Sequence, residues 1–262
     1  MATAELTHHH PGPPLSAHVR DFCGYRERTA GPLSRRELPH LGITVVISFG
    51  EPLEVERALV ESFVAGLHDV PVLTTHFGVQ HGIEARLTPL GGYRLLGLPM
   101  SELAGAVAHL GDVLGRAGDE LADRLAHLPD WPSRFALLER FLLRRLAEGP
   151  APPRELDWAW RRIAGSAGRV PVLSLAEELG WSRGRLVTRF REHVGLPPKV
   201  VARVARFQHA IALLGRVSPA ELALRCGYCD QSHFNREFRA LAGCTPTEFR
   251  ALEPVLVPRG EP

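Results

Sequence analysis

The sequence predicts an α+β chain of two domains, β-rich in front and all-helical behind. Three observations carry that expectation. Charge divides unevenly: residues 1–150 hold 14 Arg against 18 acids, a net of −4, whereas residues 151–262 hold 16 Arg, one Lys and 11 acids, a net of +6. The change falls on Gly149-Pro150-Ala151-Pro152-Pro153, a run that neither a helix interior nor a central strand tolerates. The basic half repeats itself, while the acidic half carries β-branched runs punctuated by Gly and Pro. The expected units are a disordered leader over 1–18, a β-rich domain over 19–150 that ends in helices, and a helical domain over 151–262.

The 262 residues are 45% hydrophobic, enough for one large core or two ordinary ones. The longest apolar stretches, such as Leu41 to Phe49, are too short to span a bilayer. The opening MATAELTHHHPGPP has no basic start followed by an apolar core, so no secretory signal is expected. Four cysteines in a chain this long make no disulfide framework, which points to a reducing cytoplasm. Thirty Arg against one Lys, with abundant Ala, Gly and Pro, point to a GC-rich bacterial genome.

In the front half, LGITVVISFGEPLEV reads as a strand and a turn. Pro71 to His76 and Gly82 to Leu87 read as two further strands, and GGYRLLGLP as another. From Ser101 the pattern turns helical with glycine interruptions. DWPSRFALLERFLLRRLAEG is a marked helix, with Asp130 as its cap and Pro132 in its first turn. Its stripe of Phe135, Leu138, Phe141, Leu142 and Leu146 buries against the β-core, packs a dimer, or does both. His76 and His81 fall on opposite sides of a continuous strand, and no closely spaced His pair with a following Glu is present. Nucleophile-elbow, phosphate-loop and dinucleotide motifs are missing too, so the chain is expected to be no enzyme and to need no metal or cofactor. Tyr25, Arg86, Tyr93 and Arg94 are candidates to line an effector pocket.

The repeat in the basic half pairs LAEELGWSRGRLVTRFREHVGLPPKVV with LALRCGYCDQSHFNREFRALAGCTPTEF. Gly180 matches Gly227; after one inserted residue, Leu186 matches Phe234, Phe190 matches Phe238, Gly195 matches Gly243 and Pro198 matches Pro246. Each copy reads as helix, glycine turn, helix, over about 172–195 and 219–243. Ser174 is expected to cap the first short helix and Ser182 the second. Leu186 and Phe190, like Phe234 and Phe238, share a buried face. The opposite faces carry Gly184, Thr188 and Arg191, flanked by Arg185 and Val187, and in the second copy Ser232, Arg236 and Arg239, flanked by Gln231 and Asn235. Two helices with a short glycine turn and an arginine-bearing outer face form a helix-turn-helix that reads double-stranded DNA in the major groove. Arg can pair bidentately with guanine, and Gln or Asn with adenine. Between the copies, Val200, Val204, Phe207, Ile211 and Leu214 recur at helical spacing and predict a long connecting helix behind Pro198. Arg191, Lys199, Arg203, Arg206 and Arg239 are candidates for phosphate contact.

Cys226-x2-Cys229 suggests zinc, but a structural site needs four ligands and a second pair is missing. In the repeat, Cys226 takes the place of Leu179 and Cys229 that of Ser182, so these are turn positions.

Residues from about Pro171 to Leu252, most strongly GYCDQSHFNREFRALAGCTPTEFR, resemble the DNA-binding domain of the AraC/XylS family of bacterial transcription regulators. The resemblance implies two helix-turn-helix units whose second helices enter successive major grooves on one face of DNA. It implies base reading at Gly184, Val187 and Thr188 and at Gln231, Ser232 and Arg236, with Arg183, Arg185 and Asn235 beside them. Gly184 and Val187 have no hydrogen-bonding side chain, so discrimination is expected to lean on the second unit. It also implies a cupin-like β-barrel in front that senses a small molecule, with RNA polymerase and a second copy as further partners; the chain is expected to act as an activator. Two other readings stay open: a front half that only dimerises or contacts polymerase, and a front half that is an enzyme or metal sensor.

Overall fold

The computed structural model describes residues 3–256. Eight antiparallel strands form the front half: β1 (Thr3–His9), β2 (Val19–Glu37), β3 (Ile43–Ser48), β4 (Leu53–Val55), β5 (Ala58–Val60), β6 (Phe63–Ala65), β7 (Val72–Leu87) and β8 (Val107–His109). Hydrogen bonding orders them β1-β2-β7-β3-β6-β8, and the β4–β5 hairpin pairs with the first half of β7. The β-rich front half with trailing helices and the helical rear half are as the sequence predicts.

Two long strands, β2 and β7, are the spine. What reads as two short strands, Pro71 to His76 and Gly82 to Leu87, is one strand, because Gly78 takes a positive φ of 78° and the chain bends without leaving the sheet. Side chains alternate along it. Phe22, Ile43, Val45, Ile47, Val64, Ile83 and Ala85 fill one face and join the main core. The other, inner face carries Cys23, Tyr25, Val46, Phe63, Glu84 and Arg86, in register across β2, β7, β3 and β6. His76 and His81 do fall on opposite faces: His76 lies 3.3 Å from Glu27, while His81 meets Trp131 edge-on.

Residues 3–9 correct the expectation of a disordered leader. They pair with β2 from Thr3↔Arg28 to His9↔Phe22. The His9 ring stacks against both Phe22 and Phe135, which also stack on each other, and its Nε2 lies 3.0 Å from Glu139. Leu15, buried beyond it, anchors the connection. Residues 1–2 of that leader and residues 257–262 of the rear domain lie outside the described residues.

Helices α1 (Pro89–Leu96), α2 (Leu110–Leu114), α3 (Arg116–Ala126) and α4 (Trp131–Glu148) follow the sheet. The stretch GGYRLLGLP is thus helix, not strand. Thr88 caps α1 by accepting from the Gly91 amide at 3.0 Å. Its glycines serve packing: a Cβ on Gly91 would stand 2.2 Å from the His18 carbonyl oxygen. Residues 107–109, expected as helix, instead add β8 to the sheet edge. Asp130 caps α4, accepting from the Ser133 amide at 2.8 Å. All five apolar residues of the α4 stripe are buried in the chain's own core, which is the first of its two readings. Gly24 lets Trp131 lie on β2, since a Cβ there would approach the indole to 2.5 Å.

The rear half is α5 (Arg154–Gly165), α6 (Val172–Glu178), α7 (Arg183–Val194), α8 (Pro198–Leu213), α9 (Pro219–Arg225), α10 (Gln231–Ala242) and α11 (Pro246–Leu256). Phe207, Phe234, Phe238 and Phe249 form its aromatic centre, with Phe238 5.2–5.6 Å from the other three rings.

Candidate functional site

The first unit is α6, a turn at Gly180 (φ 63°) and α7. Pro171 occupies the N-cap of α6, so Ser174 lies inside the helix and is not its cap. Ser182 does cap α7, accepting from the Arg185 amide at 3.2 Å. Leu186, Phe190 and Val194 are fully buried and fix the rotation of α7. That leaves Arg183, Gly184, Arg185, Thr188 and Arg191 exposed and Val187 half-buried. The Arg185 guanidinium lies 4.5 Å from the Trp181 ring centroid, a cation–π contact that steadies it before any ligand arrives.

The second unit is α9, a turn at Gly227 (φ 76°) and α10. Ser218 caps α9 and Asp230 caps α10, the latter accepting from the His233 amide at 2.7 Å. Asp230, not Cys229, therefore does in this unit what Ser182 does in the first; the inserted residue falls between the turn glycine and the cap. Gln231, Ser232, Arg236 and Arg239 are exposed, and Asn235 is half-buried. Cys226 is buried, Cys229 exposed, and neither is in a disulfide. Among the described residues no three His, Cys, Asp or Glu side chains cluster to hold a metal ion.

The candidate phosphate residues separate into two sets. Arg191, Lys199 and Arg239 are exposed. Arg203 and Arg206 are engaged inside the molecule. Arg203 donates to the carbonyl and the carboxylate of Asp69, both at 3.2 Å. Arg206 donates to the Gly168 carbonyl at 2.9 Å, lies 3.7 Å from Glu237 and sits over the Tyr228 ring. Both are held by tertiary partners within the chain. Lys199→Ala should flatten the plot of log K against log salt by about 0.9, the value of one phosphate no longer neutralised, whereas Arg203→Ala should leave that slope unchanged. Titrations across a series of salt concentrations check this.

The four candidate effector residues do not converge. Tyr25 and Arg86 share the inner sheet face, and Arg86 is held bidentately by Asp21. Tyr93 and Arg94 lie on α1, where Arg94 donates to the Leu146 carbonyl at 3.1 Å. The residue that sequence reading missed is Glu84. It stands between Cys23 and Val46 in register, enclosed on nearly every side yet touching solvent. Burial pushes its carboxyl up to about 7; Arg86 opposes this, and Glu37 and Asp21 add to it. The same burial raises the neighbouring Cys23 thiol to about 11. A folded-state value above the unfolded one means stability is lost as pH rises from about 4.5 through 7. Glu84→Gln should therefore stabilise the chain by about 1–3 kcal/mol at pH 8 and by nothing near pH 4. Urea denaturation at the two pH values is the measurement.

Both units touch the sheet domain. His193, at the end of α7, is buried; its ring lies 4.3 Å from that of Tyr93, and its Nδ1 donates to the Arg189 carbonyl. Burial holds the imidazole below its ordinary pKa, so it is neutral in the seam. Gly195 (φ 99°) lies against Met100. Arg203 bridges from α8 to Asp69. Arg36 of β2 donates to the Ala242 carbonyl at the end of α10. Each second helix of the two units is thus gripped at its C-terminal end, while its N-terminal end stays free.

A family described as "Helix-turn-helix domain" matches residues 175–252, and one described as "Domain of unknown function (DUF6597)" matches residues 7–109. The F1 operon positive regulatory protein of Yersinia pestis is 37% identical over 75 residues, 28% of this chain and 25% of that protein. The Arabinose operon regulatory protein of Salmonella typhimurium is 30% identical over 162 residues, 58% of this chain and 53% of that protein. The chain thus spans about half, or less, of the length of these relatives. Among solved structures, ToxT from Vibrio cholerae superposes with a TM-score of 0.48 at 9% identity, over 95% of this chain and 97% of that one. Among the described residues no helix is long and apolar enough to cross a membrane.

Proposed function

We propose that the chain is a DNA-binding transcription regulator of the AraC/XylS family and that a small molecule in the front half governs how its two reading helices meet DNA. One observation carries the reading: α7 and α10 present exposed N-terminal faces while their C-terminal ends grip the same sheet domain. A change in the sheet domain then reaches both readers at once. The helices α7 and α10 enter successive major grooves, about 10 base pairs apart. Gln231, Ser232, Asn235 and Arg236 read bases, with Arg183, Gly184, Arg185, Val187 and Thr188 contributing from the first unit. Arg191, Lys199 and Arg239 hold phosphates. The front half acts without turnover, the protein works in the cytoplasm, and RNA polymerase and a second copy are its macromolecular partners besides DNA.

Selection of randomised duplexes with the full chain, followed by footprinting, tests the DNA part. Two protected major-groove patches one helical turn apart are expected; a single patch, or binding indifferent to sequence, overturns it. Screening the full chain against metabolites, with operator affinity as the second readout, tests the sensing part.

A further inference from the structure

We infer that the inner face of the sheet, roofed by the β4–β5 hairpin, binds a small organic cation, an amine with a short apolar body, through the Glu84 carboxylate. This deepens the sensing role proposed above and rests on it.

The argument begins with pairing. On this face Asp21 takes Arg86, and Glu27 takes Arg35 at 2.6 Å. Glu37 accepts from Thr74 at 3.2 Å. Among the described residues Glu84 has neither an ion pair nor a hydrogen bond, although it stands in the middle of the sheet with strands on both sides. A carboxylate placed so deep costs free energy unless a counter-charge arrives, and both arginines on this face are already committed. The negative charge is left over; an anionic ligand would meet Glu84 and Glu37 together.

The surroundings supply the rest of a site. Val46, Val55, Val60 and Phe63 form a separate apolar cluster on this face, with Leu53 and Val107 packed against it. The hairpin that carries Val55 and Val60 turns at Glu56 and Arg57, both at positive φ, and folds its apolar side over the sheet. The phenol end of Tyr25 lies over Gly82, where a Cβ would stand 2.7 Å from its oxygen. Glycine there makes room for the Tyr25 phenol, one row along the face from Glu84. The raised carboxyl of Glu84 is what a site lacking its counter-charge produces. An ammonium group donating to Glu84, with its carbon body against Val46 and Phe63, satisfies both parts of the face.

Fluorine NMR on the full chain at pH 8 tests this with three probes of one shape: 4-fluorobenzylamine, 4-fluorobenzyl alcohol and 4-fluorobenzoate. The amine is expected to bind at least roughly 10-fold more tightly than the other two, and Glu84→Gln to remove that advantage while raising the melting temperature of the free protein. The rise in melting temperature shows that the variant is folded. Equal binding of the alcohol or the benzoate, amine binding undiminished in Glu84→Gln, or no binding of the amine overturns the inference. Operator affinity, measured separately, keeps the two readings apart. An amine that binds through Glu84 without altering operator affinity supports the site and refutes the sensing role. An anion that alters operator affinity independently of Glu84 does the reverse.

Discussion

Arg236→Ala should weaken binding to the cognate duplex roughly 10–100-fold and relax base preference at one position. Arg236 is exposed on α10, which Asp230 caps and the buried Phe234 and Phe238 hold in rotation. Among the described residues its guanidinium has no ion pair or hydrogen bond, unlike those of Arg203 and Arg206. Gln231→Ala should act in the same way at a neighbouring base. Val187→Ala and Thr188→Ala should cost less, because Val187 offers no hydrogen bond and is already half-buried. Anisotropy titrations with the cognate duplex, and selection from randomised sites, give both quantities. Equal losses from the two units would overturn the asymmetry.

Phe238→Ala should destabilise the rear half by about 3–5 kcal/mol. The side chain is fully buried and packs edge-on against Phe207, Phe234 and Phe249. Removing it leaves a cavity lined by rings from three different helices, so no single helix can shift to fill it. DNA binding should be lost together with the cooperative unfolding of α8–α11. Chemical denaturation followed by tryptophan fluorescence, with circular dichroism beside it, measures the loss. A cost below about 1 kcal/mol would show that the rings repack.

The second helices of the two units were legible because their signals are local. Ser182, Gly180 and Gly227 each do their work within a few residues, through a cap or a left-handed turn, and Asp130 does the same for α4 in the front half. The repeat itself exposed Phe234 and Phe238 as core. Features that depend on distant partners were not legible. Gly91 and Gly92 look like helix breakers, yet they sit in α1 because His18, Ile43 and Met100 crowd them. Residues 3–9 look like a loose leader until β2 offers them a ladder. Arg203 and Arg206 look like free cations on a helix, and their partners Asp69 and Gly168 lie far away along the chain. Glu84 was invisible for the same reason. Cys23, Glu84 and Val46 form one row through strand register, which no spacing along the chain reveals.

The Arg203–Asp69 bridge and the burial of His193 against Tyr93 have a consequence for any rear half separated from its sheet. Such a fragment would carry a cation released from its partner and an imidazole newly open to protonation, on the same helices, α7 and α8, as the exposed Arg191 and Lys199. It would grip any polyanion more strongly, with a steeper dependence on salt and on acidity than the parent molecule. On the function proposed above, affinity measured on the fragment would overstate that of the intact chain, because the sheet domain pairs with part of its positive charge.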